Sequence, residues 1–171
     1  MNTPITLRVT EIETPAGTIV FARNGERLCA LGFKDHWPRF RKDLEKRFGN
    51  VEIRPDAEGG AAGRAFRRYL GGDLDALDAL EVDTAGTPFQ EKVWSRLRKI
   101  PAGRTMSYGD LARAVGDPAA VRAVAGANAR NPVSIVVPCH RVIASDGKLS
   151  GYGGGVPRKR WLLAHEGALL V

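Results

Sequence analysis

Alternating apolar and polar positions in the first third of the chain predict a small antiparallel sheet. Residues 6–13, 18–23 and 26–33 are rich in apolar and β-branched side chains, which pleated strands favour. A turn at Pro15-Ala16-Gly17 separates the first two runs, and Asn24-Gly25, a dipeptide preferred in two-residue hairpins, separates the last two. We therefore expect three strands joined by consecutive hairpins.

The next stretch changes from a strand period to a helical one. Aromatic and leucine side chains recur every three or four positions among charged residues, at Trp37, Phe40, Leu44 and Phe48. A strand is predicted at 51–54, followed by a helix at 62–70 that ends at Gly71. Residues 72–87 contain five acidic residues and no basic one, and we interpret them as the connection between two domains.

Three helices are predicted in the second half of the chain. The first begins at Pro88, because Thr87 and Gln90 form the capping-box pattern with proline at the first helical position. The second covers about 107–116 and the third 118–128. The last two helices, joined by a short turn that contains glycine, form a helix-turn-helix candidate.

The third of these helices is poor in long side chains. Of the 13 residues from Pro118 to Arg130, seven are Ala or Gly, and Arg122 is the charged side chain in the interior. A helix that reads the major groove needs several long hydrogen-bonding side chains, whereas a bare face can approach a minor groove about 6 Å wide. The composition favours contacts with phosphates and groove shape. An Ala-rich helix packed tightly against a neighbour is the structural alternative.

Charge is distributed unevenly between the two predicted domains, 1–85 and 86–171. The chain has 171 residues, 26 of them basic and 19 acidic, and a formal net charge of +7. The first domain has 13 basic and 14 acidic residues, a net −1, and the second has 13 basic and five acidic residues, a net +8. One-sided positive charge indicates a polyanionic partner, either nucleic acid or an anionic membrane surface. A surface whose charge is uneven without any function is the other interpretation.

Composition argues against several classes of protein. No apolar run approaches the roughly 18 residues of a membrane span, and the N-terminus lacks the basic-then-apolar pattern of a secretory signal. Cys29 and Cys139 form no CxxC pair, which argues against zinc and against a disulfide framework. The glycines at 151–155 lack the spacing of a dinucleotide-binding loop. We expect a reduced, cytoplasmic protein without a membrane span, a metal or a cofactor.

Cys139 is the strongest candidate for chemistry. It follows a β-branched run at 133–137, predicted to be a buried strand, and precedes His140 and Arg141. A nearby positive charge or imidazole lowers the pKa of a thiol. Neighbouring side chains on a strand point to opposite faces, so contact between Cys139 and His140 requires a turn or a bridging water. The proline at 138 favours a turn.

Two further residues are open to two interpretations each. Cys29 lies in an apolar stretch and is interpreted as a buried, unreactive thiol, with reactivity as the alternative. Glu166, which follows His165, either supplies a carboxylate that orients a catalytic histidine or is an ordinary surface residue.

Residues 86–167 carry a series of motifs that resembles one family. The most specific is Pro138-Cys139-His140-Arg141-Val142, preceded in order by FQ-VW, IP-G, SY, RAV and NP and followed by GY. With these motifs the second half resembles the 6-O-alkylguanine-DNA alkyltransferases, also called methylated-DNA–protein-cysteine methyltransferases. The resemblance implies an α+β fold, with an RNase-H-like N-terminal domain of sheet and helices. It also implies a mostly helical C-terminal domain with a winged-helix-like helix-turn-helix.

The resemblance further implies roles for individual residues in alkyl transfer. Cys139 resembles the alkyl acceptor, and His140 resembles the base that acts on it through a water. Glu166 resembles the carboxylate that orients His140, and Asn131 the asparagine that holds the active-site turn. Tyr108 resembles the tyrosine that donates its hydroxyl proton to a guanine ring nitrogen as the base leaves.

Residues that bind DNA and the flipped base follow from the same resemblance. Arg122 resembles the arginine that fills the gap left in the base stack. Tyr108 would contact DNA as well, and the small residues that would face the minor groove are Ala120, Ala123 and Ala125. The base pocket would be lined by Val142, Tyr152, Gly153 and Gly154, together with Cys139. Many relatives have serine at the position of Gly153, so its backbone N–H alone is carried over.

These roles imply a DNA-repair reaction in which each protein molecule acts once. The alkyl group of the guanine 6-oxygen, or of the thymine 4-oxygen, would pass irreversibly to Cys139 after minor-groove binding and base flipping. The implied partner is double-stranded DNA, bound by a monomer with little sequence preference and without a cofactor, and cooperative binding along DNA is left open. The membrane surface that charge alone left open is set aside. Three alternatives stand beside this reaction. A non-catalytic lesion sensor is disfavoured by Cys139, because such relatives have tryptophan in its place, and a helix-turn-helix regulator is disfavoured by the lack of base-reading side chains. The third alternative is a Cys-His hydrolase, which would turn over.

Overall fold

A four-stranded mixed sheet forms the scaffold of the first of two units into which the chain divides, Met1–Thr84 and Ala85–Val171. The structure is a computed structural model that describes residues 3–149 and 151–169. The first unit combines the sheet with two helices, and the second unit is mainly helical. The predicted α+β class is confirmed.

The first three strands of the sheet follow the order that the sequence pattern predicted, and the pairing of the fourth was not predicted. β1 (Ile5–Thr14), β2 (Gly17–Asn24) and β3 (Arg27–Phe33) form two consecutive antiparallel pairs. β4 (Val51–Pro55) pairs parallel with β1, which makes the order β3-β2-β1-β4. The tight turn between β2 and β3 lies one residue later than predicted, with Gly25 at its first position and a φ of +60° that glycine adopts without a steric cost.

Two helices pack on the sheet of the first unit. α1 (Trp37–Phe48) packs its apolar stripe on one face, in a core that contains Cys29. α2 (Gly60–Leu70) packs Phe66 against Phe21 of β2, with the ring centroids 5.8 Å apart. Because successive residues of a strand point to opposite faces, the two helices cover different sides of the sheet. Cys29 is 1% exposed, which fits the interpretation of an unreactive thiol.

Most of the acidic stretch at 72–87, predicted to connect two domains, packs on the first unit. Leu77 and Leu80 are buried, and Val82 forms an isolated parallel bridge with Leu28 of β3. Two backbone hydrogen bonds of 3.0 and 2.8 Å hold this bridge. The acidic composition concealed two leucines spaced three positions apart, so the boundary between the units lies near the end of the stretch.

Predicted caps define the first two helices of the second unit. α3 (Pro88–Leu97) has the capping box: the Thr87 hydroxyl accepts the N–H of Gln90 at 3.2 Å, and the Gln90 side chain accepts the N–H of Thr87 at 3.0 Å. α4 (Tyr108–Ala114) is capped by the hydroxyl of Ser107. Local side chains satisfy the first amides of both helices, and for this reason a few residues of sequence predicted where they begin.

The helix-turn-helix is completed by α5 (Val121–Ala129), which packs against α3 and α4. It begins three residues later than predicted, because Asp117 holds the preceding residues in a turn. The carboxylate of Asp117 accepts the N–H of Ala119 at 3.2 Å, and its carbonyl accepts the N–H of Ala120 at 3.0 Å. Ala120 therefore lies just before the helix instead of within it.

The β-branched run at 133–137 does not form the predicted strand. Ile135 has a φ of +73°, and the run makes an isolated bridge in place of a ladder. Asn131 supplies the missing partners: its side-chain oxygen accepts the N–H of Val133 at 3.0 Å, and its NH₂ donates to the carbonyl of Val137 at 2.6 Å. The β-branched composition thus indicated burial, while the backbone conformation is that of a turn.

A small two-stranded sheet and a final helix complete the second unit. After a 3-10 turn at Cys139–Arg141, β6 (Val142–Ile143) pairs parallel with β5 (Met106–Ser107), which immediately precedes α4. This pairing places the start of α4 beside the turn. α6 (Val156–His165) follows the glycine-rich stretch. Within the described ranges, no helix is both long enough and apolar enough to cross a bilayer.

Candidate active site

Cys139 and His140 are consecutive residues of one buried 3-10 turn. Cys139 is 6% exposed and His140 is fully buried. The turn Cys139–Arg141 follows Pro138, and it is the change of direction that the proline favoured in the sequence. Successive residues of a 3-10 turn are rotated by about 120°, instead of the 180° of a strand. Both side chains can therefore face the same interior region.

Glu166, at the end of α6, joins His140 to Arg141. Its carboxylate oxygens lie 3.0 and 2.9 Å from Nε2 of His140. Arg141 donates to the same carboxylate through Nε at 2.8 Å and Nη2 at 2.9 Å, and to the carbonyl of Ile100 through Nη1 at 2.6 Å. Glu166 is 2% exposed, so the interpretation as an ordinary surface residue is wrong.

This network determines which nitrogen of His140 can take a proton. Burial alone would raise the pKa of Glu166, but hydrogen bonds from Arg141 and His140 hold that pKa far below its usual range, so Glu166 is a carboxylate. Burial lowers the pKa of His140, which is therefore neutral at pH 7. Nε2 faces the carboxylate and carries the hydrogen, so Nδ1 holds the lone pair. Nδ1 is buried and has no hydrogen-bond partner among the described residues.

The Cys139 thiol lies in a site that opposes its ionisation at rest. Burial raises its pKa, while hydrogen bonds from Asn131 and Ser134 and the positive charge of Lys159 work in the opposite direction. Arg141, the cation that follows in sequence, is neutralised by Glu166 instead. The thiol is therefore protonated in the resting protein and must lose its proton during a reaction.

Lys159 is a site residue that the sequence analysis missed. Its side chain is fully buried in α6, and Nζ donates to the carbonyl of Val142 at 2.6 Å. Burial lowers its pKa, and the nearby Cys139 opposes this effect. Lys159 stands in a basic run that resembles a solvated helix face. Its spacing of three and four positions from Leu162 and Leu163, both buried, is the signal that places it on the inner face.

A second residue missed by the sequence analysis is Asn128, on α5. Its NH₂ donates to the backbone carbonyl of Cys139 at 3.3 Å, within the protein interior. Asn128 is four positions after the buried Val124, a helical spacing that predicts a buried position. No motif in the sequence, however, links an asparagine of this helix to the cysteine.

Two tyrosines and a glycine-rich turn border the site. Tyr108, the first residue of α4, is half-buried, and burial followed by the proximity of Cys139 raises its pKa. The hydroxyl of Tyr152 is buried without a hydrogen-bond partner among the described residues, and burial raises its pKa well above the usual value. Gly151 has a φ of +68°, and a Cβ there would lie 3.0 Å from the hydroxyl of Tyr108. A side chain at Gly151 would therefore displace Tyr108.

The remaining predicted pocket residues differ in their surroundings. Val142 is fully buried beside the Cys139 turn. Gly153 is exposed, and a Cβ there would meet no heavy atom within 4 Å. Gly154 is half-buried in the same turn. The open side of Gly153 shows that no packing constraint within the described residues requires glycine at this position.

α5 presents a nearly bare face outward. Arg122 and Ala123 are exposed, Ala125 is half-buried, and Ala120 is half-buried just before the helix. The opposite face is buried, and there the carbonyl of Ala127 accepts the indole N–H of Trp94 from α3 at 2.8 Å. One side of the Ala-rich helix packs tightly, as the structural alternative predicted, and the other side is free of long side chains apart from arginine.

Burial also reduces the number of charged residues that the second unit has at its surface. Its 13 basic residues include the buried Arg141 and Lys159, and its five acidic residues include the buried Glu166. Eleven basic and four acidic residues therefore lie outside the core. Within 3–149 and 151–169, no group of three or more His, Cys, Asp or Glu side chains is placed to hold a metal ion.

Comparisons with known proteins agree with one another. Residues 88–168 match the family profile described as 6-O-methylguanine DNA methyltransferase, DNA binding domain. A methylated-DNA–protein-cysteine methyltransferase of Shigella flexneri is 45% identical over 165 residues, which cover 94% of this chain and 96% of that protein. The crystal structure of an O6-methylguanine methyltransferase of Mycobacterium tuberculosis is similar with a TM-score of 0.79 and 38% identity, covering 95% of this chain and 93% of that one. A Mycobacterium tuberculosis structure in complex with DNA is similar with a TM-score of 0.79 and 39% identity, over 94% and 93% of the two chains.

Proposed function

The chain belongs to the family of methylated-DNA–protein-cysteine methyltransferases, and we propose that it takes the alkyl group from the 6-oxygen of guanine in DNA onto its own Cys139. One observation carries the proposal. Cys139 and His140 share a buried turn, and Glu166 holds His140 in the tautomer with the hydrogen on Nε2, so that Nδ1 can accept a proton. A protonated thiol next to a neutral imidazole is the arrangement that a nucleophilic cysteine needs.

In the proposed step, the sulfur of Cys139 attacks the alkyl carbon, and the bond from that carbon to the guanine oxygen breaks. The thiol proton passes to Nδ1 of His140, through a water as the family resemblance implies, and the carboxylate of Glu166 stabilises the imidazolium. The positive charge of Lys159 stabilises the transient thiolate. These groups act against the burial that raises the pKa of the thiol.

The leaving guanine needs a proton of its own. We assign this donation to the hydroxyl of Tyr108, whose pKa is raised by burial, so that the base departs as neutral guanine. The tyrosine recovers its proton from the imidazolium of His140 or from solvent, and the products are guanine and a thioether at Cys139. Water cannot expel a thioether sulfur at neutral pH, so each molecule reacts once.

DNA binding is assigned to the outward face of α5. Small side chains there allow close approach to a minor groove, and to Arg122, which is exposed on the same helix, we assign the role of filling the gap left by a flipped base. The excess of surface basic residues in this unit supports phosphate contacts with little sequence preference. The proposal also includes the alkylated 4-oxygen of thymine as a second substrate. We further propose that the protein binds DNA as a monomer and that it is located in the cytoplasm.

Transfer of a labelled methyl group tests the proposed function. Protein mixed with duplex DNA that carries a radiolabelled methyl on the guanine 6-oxygen should retain one equivalent of label, even when DNA is in excess. Peptide mapping should find the label on Cys139. A lesion sensor would bind the DNA and acquire no label, and a hydrolase would release labelled methanol repeatedly, so either result would contradict the proposal.

Replacing Arg122 should separate base flipping from chemistry. Arg122→Ala should slow repair of duplex DNA by about 10- to 100-fold, because flipping a base costs a few kcal/mol and the arginine offsets part of that cost. Reaction with free 6-O-benzylguanine, which needs no flipping, should change by less than about twofold. Second-order rates of alkylation with the two substrates measure the difference.

Arg130→Ala is the matched control, since Arg130 is an exposed arginine just after the end of the same helix. It should weaken duplex binding modestly, and more at low salt than at high salt, as expected for a phosphate contact. Equal losses with duplex and free base in Arg122→Ala would remove that residue from the flipping step.

A further inference from the structure

Asn128 is the polar member of the buried face of α5. The buried residues of this helix are Val124, Ala127 and Asn128, and Asn128 is 3% exposed. Its NH₂ donates to the carbonyl of Cys139 at 3.3 Å, and its Oδ1 is buried without a hydrogen-bond partner among the described residues. A backbone carbonyl can only accept, so the NH₂ must be the side of the amide that faces it.

Burial of this amide is unfavourable by itself. An amide removed from water without its full set of hydrogen bonds costs about 1–3 kcal/mol, and an apolar side chain of similar size would fill the position without that cost. Packing therefore does not explain an asparagine here. The contact it makes is with the backbone of the proposed nucleophile.

Both ends of this contact are held in place. The carbonyl of Ala127, the preceding residue, accepts the indole N–H of Trp94 at 2.8 Å, which fixes the last turn of α5. The Cys139 carbonyl also accepts the N–H of Val142, the hydrogen bond that closes the 3-10 turn. Asn128 thus joins a fixed helix end to the turn that carries the sulfur.

We propose that Asn128 is a positioning residue for alkyl transfer: through the Cys139 carbonyl it sets the orientation of the turn, and so the direction of the sulfur. It also links the nucleophile to α5, the helix that carries Arg122, so that the sulfur of Cys139 keeps a fixed position relative to that arginine. This inference rests on the proposed role of Cys139 as the alkyl acceptor. Asn128 acts on the nucleophile's backbone, and the proton transfer belongs to His140.

Two variants test the inference on the full-length protein. Asn128→Leu keeps the size and removes the donor, and it should lower the second-order alkylation rate about tenfold, with duplex DNA and with free 6-O-benzylguanine alike. Equal losses are expected because the free base still meets the misoriented sulfur. Circular dichroism on the same samples should show a folded protein at the assay temperature.

Asn128→Asp tests the inference through the pH dependence of the alkylation rate, which a purely structural role of Asn128 would not change. A protonated aspartic acid can donate to the Cys139 carbonyl, whereas the ionised form places negative charge against it. Burial raises the pKa of a carboxyl group into the measurable range. The rate of the Asp variant relative to wild type should therefore fall as pH rises through that pKa, while the relative rate of the Leu variant stays flat. Should the Leu variant fail to fold, the Asp variant at low pH carries the test.

The outcomes separate this inference from the function on which it rests. Wild-type rates in both folded variants, or a loss confined to duplex DNA, would overturn the positioning role while normal alkylation of Cys139 upholds the function. A wild-type protein that acquires no alkyl group on Cys139 would overturn the proposed function and this inference together.

Discussion

Cys139→Ser should reduce alkyl transfer to the protein by at least about 10⁴-fold while leaving the affinity for duplex DNA unchanged. Serine preserves the size of the side chain in a turn that is 6% exposed at this residue, so the fold should be retained. A hydroxyl is far less acidic than a thiol, and neutral His140 is too weak a base to generate an alkoxide. Mass spectrometry of the intact protein after incubation with methylated duplex measures the loss.

Cys29→Ser provides the matched control. Cys29 is also buried, and burial raises the pKa of its thiol, but it lies in the sheet of the first unit, where its Sγ donates to the backbone carbonyl of Arg27 at 3.7 Å. This variant should gain one methyl group at the wild-type rate. Alkylation of Cys29 in the Cys139→Ser protein, or an undiminished rate in that variant, would show that the acceptor has been misassigned.

Glu166→Gln should lower the free energy of unfolding of the second unit by about 3–5 kcal/mol, the usual effect of removing one partner from a buried ion pair. Glutamine leaves the buried guanidinium of Arg141 without a counter-charge. It also removes the charge that stabilises the imidazolium of His140, so alkylation should slow by about 100-fold. Urea unfolding followed by tryptophan fluorescence, with the alkylation rate on the same samples, measures both effects.

The stability difference should depend on pH in a defined direction. The native pKa of Glu166 lies far below its unfolded value of about 4.3, so the carboxylate stabilises the fold fully above that value. This contribution is lost as pH falls toward the native pKa. The gap between wild type and Glu166→Gln should therefore be constant at neutral pH and narrow below about pH 4.

A double variant separates the effect on stability from the effect on chemistry. Arg141→Met combined with Glu166→Gln removes both charges, and an apolar replacement of a buried ion pair is often nearly neutral for stability. The double variant should regain most of the lost unfolding free energy and still alkylate slowly. Full recovery of the alkylation rate would show that Glu166 matters for folding alone.

The sequence predicted correctly the elements that depend on interactions between residues close to one another in the chain. The hairpins, the apolar stripe of Trp37–Phe48 and the caps at Thr87 and Ser107 are confirmed, because each depends on residues within a few positions of one another. The start of α5 was wrong by three residues, since Asp117 satisfies backbone amides in a competing turn. That competition is also local: the proline at 118 favours the start of a helix, whereas the carboxylate of Asp117 favours a turn over the same residues.

The largest error in conformation occurs where a side chain replaces backbone pairing. Residues 133–137 have the composition of a strand, yet both hydrogen bonds from the Asn131 side chain make a turn the better solution. The acidic stretch at 72–87, predicted to connect two domains, does precede the second unit, but Leu77 and Leu80 within it are buried. At 133–137 the composition thus indicated burial correctly and the conformation incorrectly, whereas at 72–87 the acidic composition gave no sign of the buried leucines.

From the sequence alone come the family and the chemistry proposed for it. The resemblance rests on Pro138-Cys139-His140-Arg141-Val142 and on the ordered motifs around it, while the bare helix and the one-sided positive charge independently indicate a polyanionic partner. The resemblance implied the contact between Glu166 and His140, whereas the contacts of Lys159 and Asn128 are visible in the tertiary structure alone. Glu166 reaches His140 across 26 positions, Lys159 reaches Val142 across 17 and Asn128 reaches Cys139 across 11. The physical reason is that a buried charge or amide must find a partner, and that partner is chosen by packing between helices, which no local pattern encodes.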